Sequence, residues 1–97
     1  MDYNAFVESL KEANPPADVS VYLKALWHYR KGNWGKAHQI VQNLNDDHAN
    51  LIHAFLHRDE GDLWNADYWY RRVNRSRPGT TLDEEWSTIT RELLDTY

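Results

Sequence analysis

Apolar residues stand at Tyr3, Phe6, Val7 and Leu10, the i, i+3, i+4, i+7 spacing of a single stripe on an α-helix, with Asp2 ahead of them as a cap. This predicts a helix within residues 1–14, ended by Asn14-Pro15-Pro16 because proline lacks the N–H that a continuing helix needs. A second helix is expected to start between Pro16 and Asp18 and to run to about Lys31. Its apolar positions, Val19, Val21, Tyr22, Leu23, Ala25, Leu26, Trp27 and Tyr29, surround most of the cylinder, which predicts cover on several sides. Gly32 stops it, and Asn33 caps a third helix whose apolar residues, Trp34, Ala37, Ile40, Val41 and Leu44, again form one stripe.

The pattern then repeats. After the turn Asn45-Asp46-Asp47 a fourth helix carries a broad apolar arc, Ala49, Leu51, Ile52, Ala54, Phe55 and Leu56. Gly61 stops it, Asp62 caps a fifth helix with Leu63, Ala66, Trp69, Tyr70 and Val73 on one side, and Ser76-Arg77-Pro78-Gly79 forms a loop. Thr81-Leu82-Asp83-Glu84 is a capping-box pattern that opens a sixth helix with Leu82, Trp86, Ile89, Leu93 and Tyr97 in register. The expectation is one all-α domain of six short helices over residues 1–97. An N-terminal helix lies in 1–14, helical hairpins in 18–45 and 47–74, and a closing helix in 81–97, the second and fourth helices being central.

A shift of 29 residues superposes Ala25 on Ala54, His28 on His57, Gly32 on Gly61 and Ala37 on Ala66. Each match has a mechanical reason: small residues let helices approach, glycine permits the left-handed turn that ends a helix, and Asn33 or Asp62 caps the next. Self-similarity at this length marks stacked helical hairpins. At Gly32-Asn33-Trp34-x-x-Ala37 and Gly61-Asp62-Leu63-x-x-Ala66 the chain resembles tetratricopeptide repeats, and Ala66 to Arg71 also resembles the A-x-x-W-Y of SEL1-like repeats. The likeness spans about residues 20–74, with a period of 29 where tetratricopeptides have 34 and without their closing proline. The string His57 to Arg72 is similar to those of a group of short bacterial proteins of uncharacterised function, which implies no activity.

Composition narrows the function. Five Trp, six Tyr and two Phe in 97 residues can fill a core, since each ring buries roughly 150–250 Å². With no cysteine there is neither a disulfide framework nor a thiolate metal site, which suits a reducing cytoplasm. The acidic start MDYNAFVESLKEA carries no basic n-region, and no run approaches the ~20 apolar residues of a membrane span. A formal net charge of -4 argues against nucleic acid as a general partner. No G-x-S-x-G, P-loop or G-x-G-x-x-G occurs, and the paired carboxylates fall at helix ends, so neither catalysis nor a cofactor is expected.

Three constellations remain. His53-x-x-x-His57 sets two imidazoles on one helical face, with His28 as the candidate third metal ligand and Glu60 a fourth; the competing reading is structural packing, because His28 and His57 hold equivalent repeat positions. For His53 the helical wheel and the repeat register point to different sides, and both stay open. Arg71, Arg72, Arg75 and Arg77 form a candidate anion site, against self-pairing with the acids of the sixth helix. Trp64 and Tyr68, at i, i+4, are either covered by that helix or exposed for self-association.

The tetratricopeptide likeness implies a protein or peptide partner held along the first helix of each hairpin. That face would be lined by Tyr22, Leu26, Tyr29, Arg30, Leu51, Phe55 and Arg58, the arginines orienting a carboxylate. Burial of the same residues under the first helix is the alternative. The leading expectation is therefore a cytoplasmic protein-interaction module. A small-ligand or metal-binding domain, or an oligomeric accessory subunit, are the rivals.

Overall fold

The computed structural model describes residues 1–96, and among them it is all helical, with no strand. The predicted stripe position Tyr97 lies outside the described residues. Helix α1 (Tyr3–Glu8) starts where Asp2 accepts the Ala5 N–H at 2.8 Å. It stops short of its expected extent and tightens into a 3₁₀ turn at Ser9–Lys11, where the Ser9 hydroxyl donates to the Phe6 carbonyl in competition with the helical pattern.

Helix α2 is Val21–Arg30, beginning later than the Pro16–Asp18 start expected from proline preference. Ser20, in extended conformation, accepts the Leu23 N–H at 3.2 Å and supplies the cap instead. Helices α3 (Trp34–Gln42), α4 (Asp47–Asp59), α5 (Leu63–Arg72) and α6 (Leu82–Thr96) complete the chain.

The two hairpin corners are built alike. Gly32 and Gly61 have φ of +87° and +82°, and a Cβ on either would meet nothing within 4 Å, so backbone conformation and not space demands glycine. Their N–H groups bond back to the Tyr29 and Arg58 carbonyls, while those of Asn33 and Asp62 reach the His28 and His57 carbonyls, the two bonds of a Schellman motif. The side chains of Asn33 and Asp62 then cap the next helix, accepting from Lys36 N at 3.0 Å and Asn65 N at 3.3 Å. One residue thus closes one helix and opens its successor. Asn74, at φ 58°, ends α5 in the same way, which the sequence pattern did not reveal.

Helix α4 is the axis of the molecule, with every residue from Ala49 to Leu56 buried; α5 is its hairpin partner, and α2, α3 and α6 pack around it. The predicted capping box forms: Thr81 accepts from Glu84 N and Glu84 accepts from Thr81 N, both at 3.1 Å. From there α6 runs across the face shared by α2 and α4. Its Trp86, Ile89 and Leu93 are all buried, each residue of this kind contributing on the order of 1.5–3 kcal/mol when fully buried. Trp86 Nε1 donates to the Leu26 carbonyl at 3.0 Å. Helix α1 does not enter this groove; it leans on α6, with Phe6 and Tyr3 against Trp86 and the Tyr3 hydroxyl 2.8 Å from Ser87 Oγ.

Candidate functional site

The face expected to hold a partner is engaged within the chain. Leu26 and Phe55 are fully buried and Leu51 nearly so. Tyr22 donates to Asp46 at 2.7 Å, and Tyr29, edge-on to Phe55, donates to Asp59 at 2.8 Å. Both arginines meet α6: Arg30 pairs with Asp83 at 2.6 Å and Arg58 with Glu85 at 2.7 Å. Glu85, 5 % exposed, also accepts from the Tyr70 hydroxyl at 2.6 Å, and Arg58 reaches the Thr80 carbonyl. Burial and this bond to a carboxylate hold the Tyr70 pKa far above its ordinary value. The cover over the groove is therefore α6, where the sequence suggested the first helix, and Arg30 and Arg58 do orient carboxylates, those of α6.

The arginine-rich stretch is also largely self-paired. Arg75 bonds Glu92 at 2.7 Å and Arg77 bonds Asp67 at 3.2 Å. Arg72 lies 5.8 Å and 5.2 Å over the rings of Tyr68 and Trp69 and donates to the Tyr68 hydroxyl. Arg71, Arg75 and Arg77 border an open depression of about 350 Å³ together with Asp67, whose carboxylate opposes an anion there.

The outer side of α5 is bare. Trp64 is 80 % exposed and Tyr68, one turn on, is exposed too, so α6 does not cover the aromatic pair; Leu63, expected on the inner stripe, is also exposed at the first turn of the helix. Along the chain α5 has acids at its start, Glu60 and Asp62, and bases in its last turn, Arg71 and Arg72.

The histidines gather differently from the repeat pairing. His28 stands apart, edge-on to Trp27 at 5.2 Å, its pKa lowered by partial burial and by Lys36. His38, from α3, takes the third place: one ring nitrogen from each of His38, His53 and His57 lies within 4.8 Å of the others. His53 and His57 both face α5, as the repeat register has it, His53 stacking on Trp69 at 4.1 Å and 19°. Trp34 stacks on His38 at 4.8 Å and 8°, and its Nε1 is tied to the Leu56 carbonyl at 2.9 Å. His38 and His53 approach Nε2 to Nε2 at 3.1 Å. His57 Nδ1 lies 2.6 Å from Glu60 Oε1; an ionised carboxylate only accepts, so Nδ1 carries the proton. Burial, then His57 and His38, lowers the His53 pKa to about 4. Burial and His57 lower that of His38. The Trp34-x-x-x-His38 spacing, twin of His53-x-x-x-His57, was the signal in the sequence for His38.

The fold and these sites define an all-α domain of two helix–turn–helix hairpins with a helix bound in their groove. No family model, curated protein or solved structure matches the chain. Among the described residues no helix is long and apolar enough to cross a membrane.

Proposed function

We propose that the chain is a cytoplasmic protein-interaction domain of tetratricopeptide-like build that acts through the outer face of α5, and that its occupant there is a second copy of itself. The observation that carries this reading is Trp64, 80 % exposed one turn from the exposed Tyr68, since monomers rarely leave such a pair in water. The charge order along α5 favours a copy over an unrelated protein. Antiparallel pairing of two α5 helices about a two-fold axis sets Trp64 against Tyr68 of the second copy. It also brings Arg71 and Arg72 of each chain to Glu60 and Asp62 of the other. The four rings supply at most on the order of 600–1000 Å², below the ~1,200 Å² of stable interfaces, so the dimer is a weak, reversible one.

Sedimentation velocity over a hundredfold concentration range tests this. The wild type is expected to shift towards dimer with concentration, and Trp64→Glu to stay monomeric with an unchanged melting curve. A wild type that remains monomeric at a few hundred micromolar would refute the proposal.

A further inference from the structure

We propose that His38, His53 and His57 form a binding site for one divalent transition-metal ion, zinc in the first instance, at the junction of α3, α4 and α5. The spacing comes first. Zinc–imidazole bonds of 2.0–2.1 Å in tetrahedral geometry set ligand nitrogens about 3.3 Å apart. His38 and His53 already stand at 3.1 Å, Nε2 to Nε2, and the His57 nitrogen falls within 4.8 Å of both. A side-chain adjustment of about 1–2 Å in one ring completes the triad.

The lone pairs agree with the spacing. Because His57 holds a proton on Nδ1, facing Glu60, Nε2 is the nitrogen left to bind an ion, and Asn65 Nδ2 at 3.5 Å is too distant to occupy it with a strong hydrogen bond. His38 and His53 share a single proton between their Nε2 atoms, so one of those two is also an acceptor. Moving the shared proton to the Nδ1 of its own ring frees the third nitrogen without loss of a proton from the protein. Neutral imidazoles select zinc, copper or nickel over magnesium and calcium, which need oxygen ligands.

The surroundings hold the rings as a metal requires. Trp34 and Trp69 stack on His38 and His53 and fix their planes. Glu60 is a positioning residue: its carboxylate on the far nitrogen of His57 sets that ring's tautomer and direction, the usual outer partner of a ligating histidine. His38 belongs to the first hairpin and His53 and His57 to the second, so a bound ion staples the two hairpins together.

Calorimetric titration of tag-free, chelator-stripped protein with Zn²⁺ tests the site. One ion per chain is expected, with micromolar or tighter affinity and a rise in Tm of about 10 °C at a hundredfold excess over Kd. His38→Gln and His57→Gln should each weaken binding at least tenfold. Glu60→Gln, at an exposed position outside the apolar core, should weaken it about tenfold, and His28→Gln should leave it unchanged. Because variants at buried His57 and part-buried His38 could unfold, Co²⁺ is added to the wild type and the hyperfine-shifted imidazole N–H resonances are assigned; they should belong to His38, His53 and His57. Absence of saturable one-to-one binding in the wild type would overturn the proposal. So would binding that survives both histidine changes, or shifted resonances from His28 and His48.

Discussion

Glu85 is the most exacting test of how α6 is held. Its carboxylate, 5 % exposed, is shared by the Arg58 guanidinium at 2.7 Å and the Tyr70 hydroxyl at 2.6 Å, and the Arg58 side chain is itself only 15 % exposed. Glu85→Ala removes the anion and leaves a largely desolvated cation with the Thr80 carbonyl, plus a buried hydroxyl without its acceptor. Removing one partner from a buried pair costs about 3–5 kcal/mol, and the residual exposure of Arg58 favours the lower end. Against the ~5–15 kcal/mol total of a domain of this size, such a loss lowers Tm by 12 °C or more at roughly 4–8 °C per kcal/mol. Urea and thermal unfolding followed by circular dichroism at neutral pH give both numbers. The control is the triple change Glu85→Leu, Arg58→Met, Tyr70→Phe, which replaces the polar cluster with apolar groups and should return to within about 1 kcal/mol of the wild type. If Glu85→Ala loses less than about 1 kcal/mol, or the triple variant is no better than the single one, the cluster does not hold α6 as described.

Three further outcomes are expected. Gly61→Ala should cost about 1–2 kcal/mol through its positive φ alone, whereas Gly35→Ala in α3 should stabilise by about 0.5–1 kcal/mol; denaturant midpoints compare them. Thr90 Oγ1 is buried without a hydrogen-bond partner among the described residues, so Thr90→Val should raise stability by about 1 kcal/mol in the same measurement. The raised Tyr70 pKa means that the folded chain keeps a proton the unfolded chain releases near pH 10; its contribution is complete below that pH and falls away above it. Between pH 9 and 11 the stability of Tyr70→Phe should therefore decline less steeply than that of the wild type, by up to about 1.4 kcal/mol per pH unit.

Periodicity exposed the helices, and the Gly-Asn and Gly-Asp corners exposed the hairpins, because both depend on neighbours within a few residues. The start of α2 escaped: Pro16, Asp18 and Ser20 can each begin a helix, and local preference alone does not rank them, whereas in the folded chain Ser20 is the cap. The apolar stripe of α6 announces burial but not its address, so the groove over Leu26 and Phe55 looked open or covered by the first helix. The repeat was misleading at the histidines. It paired His57 with His28, yet the cluster assembles from α3 and α4 at places that are not equivalent, and His38 borders the apolar stripe of α3. Trp64 and Tyr68 were legible as a pair, and only the course of α6 decided that they face water.

The order of synthesis gives the α6 closure a further meaning. Ribosomes emit α2 and α4 before α6, so the nascent chain can shape both hairpins while Leu26, Leu51 and Phe55 still lack their lid. Until α6 docks, the newborn protein carries a sticky aliphatic and aromatic trough that the closed form hides, a transient stage on which chaperones and misassembly compete.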